Sequence, residues 1–124
     1  MSIRPSARPT VLLVDDDAAL RAAVSFRLET EGFAVSSFES GEALLAGKLP
    51  RANACLVVDN HLGAGISGME ALEKLRRRGV RLPAVVITSG PPPALRIRAT
   101  NAGAAMIEKP LLGDNLLTAI KALV

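Results

Sequence analysis

Three short runs, Val11–Val14, Ala54–Val58 and Ala84–Ile87, are apolar at every position. A strand with one face in water alternates apolar with polar residues, so unbroken runs of this length describe strands buried on both faces. Ala34–Ser36 and Ala104–Ile107 are shorter or more mixed and read as two further strands of the same sheet. Between the five lie helical patterns. The first, Ala18 to Glu31, places Leu20, Val24 and Leu28 on one face and stops at Gly32. Ser40 can cap a short second helix ending near Gly47. Ser67 with Glu70 three residues on forms a capping box for a third helix, with Leu72 and Leu75 inward and Gly79 as its stop. The prolines Pro91, Pro92 and Pro93 delay a fourth helix to the last of them, and it runs to Asn101. The fifth, Asp114 to Leu123, buries Leu116, Ile120 and Leu123. Five strand-then-helix units predict an α/β fold: one parallel five-stranded sheet between two helical layers.

At 124 residues the chain makes one domain with a real core. Apolar residues make up 49% and charged residues 22%, a globular composition, and no apolar run approaches the roughly 20 residues that span a bilayer. No membrane association is expected. The opening MSIRPSARP carries no apolar stretch after its arginines, so residues 1–9 read as a disordered lead-in and the chain as cytoplasmic. A lone cysteine, Cys55, sits inside ACLVV and reads as a small buried hydrophobe. The net charge is +3 and Arg76, Arg77, Arg78 and Arg81 cluster, yet there is no Trp or Tyr and there are only three Phe. Without stacking residues a nucleic-acid surface is not expected, and a basic run at a helix end complements the helix dipole.

In an open parallel sheet, ligands bind beyond the carboxyl ends of the strands. The first predicted strand is followed by Asp15, Asp16 and Asp17, the third by Asp59, the fourth by Thr88 and Ser89, and the fifth by Glu108, Lys109 and Pro110. All of these belong to one edge. Asp16 and Asp59, with Asp15 through water, offer hard oxygen ligands to Mg2+, which takes one or two carboxylates, waters and a phosphate oxygen. A carboxylate is also a nucleophile towards phosphorus, and Lys109 and Thr88 could then hold the phosphoryl oxygens.

The pieces VLLVDDD, CLVVDNHL, VVITSG and EKP, with spacings of 43, 29 and 21 residues from Asp16 to Asp59 to Thr88 to Lys109, resemble the receiver domain of bacterial two-component response regulators. The resemblance extends from about Thr10 to the end, making residues 10–124 one stand-alone receiver domain. It implies a (βα)5 flavodoxin-like fold with strand order 2-1-3-4-5. It further implies phosphorylation of Asp59 by a histidine kinase or histidine phosphotransfer protein, with output through a downstream protein target. The Mg2+ ligands would be Asp16, Asp59 and the main-chain carbonyl of His61, with Asp15 assisting through water. Thr88 would be the hydroxyl that swings to the phosphoryl group, Lys109 its counter-charge, and Lys109–Pro110 a candidate cis peptide. On this resemblance the chain is a phosphoacceptor that promotes its own phosphorylation and dephosphorylation, and no enzyme acting on a separate substrate.

Three departures from the family pattern stand out. Met106 occupies the switch position three residues before the lysine, where the family usually has Tyr or Phe. The loop NHLGAGISG lacks the usual proline and is one residue longer than the common form, and the triple proline shortens the fourth helix. His61, the only histidine, has no second His or Cys at ligand spacing for zinc, and its place two residues past the acceptor makes its side chain a candidate gate.

Taken singly, each residue has a plainer role: Asp17 as a helix cap, Asp59 as a turn residue, Thr88 as a strand-end hydroxyl, Lys109 as a solvated charge, Met69 and Met106 as core filler. Two other functions compete with phosphoacceptor signalling. One is a degenerate receiver that binds partners without phosphorylation. The other is a haloacid-dehalogenase-like phosphatase using Asp15 and Asp17 as its paired acids.

Overall fold

The computed structural model describes residues 8–111 and 114–124. The lead-in expected over residues 1–9 therefore lies outside the described residues except for its last two positions. Five strands alternate with five helices: β1 (Thr10–Val14), α1 (Ala18–Thr30), β2 (Ala34–Phe38), α2 (Gly41–Ala46), β3 (Ala54–Asp59), α3 (Gly68–Arg77), β4 (Ala84–Thr88), α4 (Pro93–Asn101), β5 (Ala104–Glu108) and α5 (Asn115–Leu123). All neighbouring strands are parallel, in the order β2-β1-β3-β4-β5. The flavodoxin-like arrangement expected from the sequence is the one observed.

Side chains alternate across the sheet, so each apolar strand feeds two cores. Leu12, Val14, Leu56, Val58 and Val86 point to the layer of α2, α3 and α4, where they meet Leu44, Met69, Leu72, Leu75 and Leu95. Val11, Leu13, Cys55, Val57, Val85 and Ile87 point the other way, against Leu28, Leu116, Leu117 and Ile120 of α1 and α5. Burial on both sides is why β1, β3 and β4 are apolar through their interiors, with Thr10, Asp59 and Thr88 only at their ends. It also pushes the Cys55 thiol up to about 11, so this cysteine is inert.

The helix signals act where the sequence placed them. Asp17 caps α1 by accepting from the Leu20 amide at 3.1 Å, and Ser40 caps α2 by accepting from Ala43. Ser67 and Glu70 form both halves of a capping box at α3. Two expectations need amendment. Strand β2 runs two residues past Ser36, because Ser37 and Phe38 pair with Leu13 and Val14 even though Ser36 and Ser37 face solvent on this edge strand. The inward face of α1 is narrower than its periodicity suggests: Leu28 is buried and Val24 half-buried, while Leu20 is 36% exposed. The first turns of α1 stand off from α5, and Leu20 lines the open groove of about 240 Å³ between the two helices.

Gly68 opens α3 directly against the backbone that ends β3. A Cβ there would lie 2.2 Å from the carbonyl oxygen of Asp59, inside any allowed contact. Alanine gains about 1 kcal/mol over glycine in an unobstructed helix. Gly68→Ala is expected to reverse that sign and destabilise by about 3 kcal/mol, the upper end for overpacking, as denaturant unfolding will show. Leu56→Ala, on the fully buried central strand β3, is expected to cost about 2–5 kcal/mol through lost transfer energy and cavity formation, measured the same way.

Candidate functional site

The carboxyl ends of β1, β3, β4 and β5 gather the polar residues that the strand interiors exclude. Asp59 is the last residue of β3 and only 3% exposed, and Asp15 follows β1 at 7%. Leaving two carboxylates this far from water requires partners for both. Asp59 has two. Its Oδ2 accepts from Lys109 Nζ at 2.7 Å, and its Oδ1 accepts from the backbone N–H of His61 at 2.9 Å. Asp15 Oδ1 accepts from the Asp17 N–H at 2.9 Å, and Arg21 donates to the Asp15 carbonyl at 2.7 Å. Asp16 is exposed at the rim, and a Cβ on Gly63 would come within 2.9 Å of its Oδ2. Gly63 has φ +64°, so the loop after Asp59 folds back across the mouth of the site towards Asp16.

Thr88 ends β4 almost completely buried, and its Oγ1 lies 3.3 Å from Nε2 of His61. Its carbonyl accepts from the Lys109 N–H at 2.7 Å, which ties β4 to the turn carrying the lysine. The Lys109–Pro110 peptide is cis, the candidate bond named from the sequence. Asn60, which the sequence reading passed over, secures the start of α3: its side-chain oxygen accepts from Met69 N at 3.1 Å and its carbonyl from Gly68 N at 3.3 Å. No spacing in the sequence marks this bond, because it depends on the path of the loop between β3 and α3. Met106 lies at the middle of β5, paired with Val86 and half-buried against the α3–α4 layer.

The structure thus brings Asp59, Lys109, His61 and Thr88 into one chain of contacts, with Asp15 behind and Asp16 in front. Asp17 stands apart from them, its carboxylate committed to the cap of α1. That use removes the second acid from the phosphatase arrangement.

Charge at this edge is unbalanced. Burial raises the Asp15 carboxyl above its usual 3.8; the Asp17 amide opposes the shift, and the negative charges of Asp59 and Asp16 add to it. One ammonium, that of Lys109, faces three carboxylates. Among the described residues no three acid, histidine or cysteine side chains form a closed metal cage. The donor set nevertheless fits Mg2+, which binds through one or two carboxylates while keeping several waters: hard oxygens, surplus negative charge and an open rim at Asp16.

Residues 11–121 match the family model described as the response regulator receiver domain. The transcriptional regulatory protein FixJ of Azorhizobium caulinodans is 35% identical over 113 residues, which cover 90% of this chain and 53% of that protein. Nodulation protein W of Bradyrhizobium diazoefficiens is 30% identical over 118 residues, 94% of this chain and 52% of its own. Among solved structures, the response regulator StyR superimposes with a TM-score of 0.85 at 35% identity, covering 94% of this chain and 59% of that one. The chain spans about half the length of the curated relatives it matches. No helix among the described residues is long and apolar enough to cross a membrane. A family match over nearly the whole sequence, on a sheet of the same order, makes this chain a member of the response regulator receiver domain family.

Proposed function

We propose that the chain is a phosphorylation-controlled switch, working in the cytoplasm, in which Asp59 accepts a phosphoryl group from a histidine kinase or histidine phosphotransfer protein. A downstream protein then reads the altered surface. The observation that carries this reading is the setting of Asp59: nearly buried, at the carboxyl edge of the sheet, with Lys109 Nζ at 2.7 Å and an amide at 2.9 Å. A carboxylate oxygen has two acceptor positions, so Asp59 keeps a lone pair for phosphorus while both contacts persist. In the transfer a carboxylate oxygen forms the new O–P bond as the P–N bond to the donor imidazole breaks. The imidazole leaves with the electron pair.

Lys109 stands where charge develops on the phosphoryl oxygens, and a preorganised cation needs no rearrangement to stabilise it. Asp15, Asp16, Asp59 and the main-chain carbonyl of His61 would hold Mg2+, which supplies further positive charge to those oxygens when bound. The Thr88 hydroxyl would reach the phosphoryl group by exchanging its contact with His61, whose ring acts as the gate. Met106, paired with Val86 and half-buried, offers no aromatic ring to swing.

Incubation with acetyl phosphate and Mg2+ should add one phosphoryl group to the wild type by intact mass, and none to Asp59→Asn. An adduct retained by the variant would remove Asp59 from the role.

The raised Asp15 carboxyl sets a pH dependence with a definite sign. An acid whose folded pKa exceeds its unfolded value keeps its proton more firmly in the fold. Its contribution is therefore fully present below 3.8 and is lost as pH rises through the higher folded value. In metal-free buffer Asp15→Asn is expected to match the wild type below that range and to melt at a higher temperature above it. Millimolar Mg2+ should stabilise the wild type more than the variant at neutral pH, as thermal melts with and without the ion will show.

A further inference from the structure

At the opposite edge of the sheet, where the strands begin, a cleft of about 400 Å³ lies between the segment entering β3 and the turn entering β4. Its size falls within the range of small-molecule sites. The floor is aliphatic, with Leu75 and Leu82 buried beneath it. Three arginines also line it: Arg51 from the β3 approach, Arg78 from the end of α3 and Arg81 from the β4 approach. None of the three has a carboxylate within ion-pair distance among the described residues.

A basic run at a helix end complements the dipole, and that accounts for Arg76, Arg77 and Arg78. It does not account for Arg51 and Arg81, which arrive from other segments and converge on the same cleft. Arg51 and Arg81 are exposed and make no hydrogen bond among the described residues, whereas Arg78 is held in place. Arg78 reaches across to the Leu45 carbonyl at 2.8 Å. Behind it Arg76 is locked by the carbonyls of Ala102 at 2.8 Å and Val80 at 3.0 Å, and the charge of Arg81, added to burial, presses its guanidinium below its usual pKa. Like charges are thus crowded around an apolar hollow with no acid to relieve them. Guanidinium groups pair with carboxylate and phosphate through parallel N–H donors.

We propose that this cleft binds a small organic anion with an aliphatic body: its carboxylate or phosphate head held by Arg51, Arg78 and Arg81, its body against Leu45, Leu49 and Val80. The site is separate from the carboxylate edge and does not depend on phosphorylation of Asp59.

The test uses octanoate and octyl phosphate as probes, with octanol, which has no charge, and inorganic phosphate, which has no body, as controls. Binding is followed by NMR shifts of the Leu45, Leu49 and Val80 methyl groups. One or both amphiphilic anions should bind at least about tenfold more tightly than either control, equivalent to about 1.4 kcal/mol. Which of the two binds better separates a carboxylate ligand from a phosphate ester. The pair Arg51→Gln and Arg81→Gln, whose side chains make no hydrogen bond or ion pair with the protein among the described residues, should weaken binding by a similar factor and leave the melting temperature unchanged. The proposal is overturned if octanol shifts the same methyl groups as strongly as the anions, or if inorganic phosphate binds as well as the tighter of the two anions. Unchanged affinity in the double variant, or no shift at these methyl groups at millimolar probe, would overturn it equally. Repeating the titration on Asp59→Asn should give the same affinities, so failure here and failure of the phosphoacceptor reading are read independently.

Discussion

A parallel sheet covered on both faces can place polar side chains only where its strands stop. Here β1, β3 and β4 are apolar through their interiors, and the two cores on either side are filled from alternate residues of the same strands. The carboxylates, the threonine and the lysine are therefore concentrated at one edge by the same burial that holds the domain together. Asp59 takes part in both: it is the last ladder residue of β3, paired with Ile87, and it is the acid that faces Lys109. Stability and chemistry meet in that residue, so the site cannot be loosened without disturbing the centre of the sheet.

The ion pair between Lys109 and Asp59 is worth little as a source of stability. Desolvating two charges costs much of what their attraction returns, although removing one partner alone would strand the other. Its value lies in position. With one ammonium and three acids, the edge is held short of neutrality; burial first, and then the charges of Asp59 and Asp16, raise the Asp15 carboxyl above its usual pKa. The proposed Mg2+ at the rim and phosphoryl group at the centre would meet this distribution.

Most of the architecture was legible because burial writes a strong pattern. Three uninterrupted apolar runs, a capping box at Ser67 and Glu70, and a proline cluster ahead of α4 specified the element order, and the observed boundaries differ by a residue or two. The edge elements were harder. Ser36 and Ser37 hide the length of β2, since one face of an edge strand sees water, and the spacing of Leu20 and Val24 says nothing about whether α5 approaches closely enough to cover them. At the candidate site Asp15, Asp16, Asp59, Thr88 and Lys109 were readable because each stands where an apolar run gives way to polar residues. Their contacts were not. Neither the approach of the His61 ring to Thr88 nor the bond from the Met69 N–H to the Asn60 side chain has a signature in spacing, because each depends on the path of a glycine-containing loop.

Thr88 is fixed and free at the same time. Its carbonyl is tied to the Lys109 N–H at 2.7 Å and its backbone lies within the β4–β5 ladder, so the main chain has no room to travel. The hydroxyl, in contrast, is held among the described residues by a single 3.3 Å contact with an exposed imidazole. Motion at this position is thereby confined to rotation about one side-chain bond, and a β-branched side chain has only a few staggered wells to occupy. In close-packed surroundings the passage between wells is a discrete hop, with no continuum of intermediate shapes for neighbouring atoms to follow. On the proposed function, a change passed through Thr88 has the character of a click between positions, and a rigid sheet behind it keeps those positions the same from one event to the next.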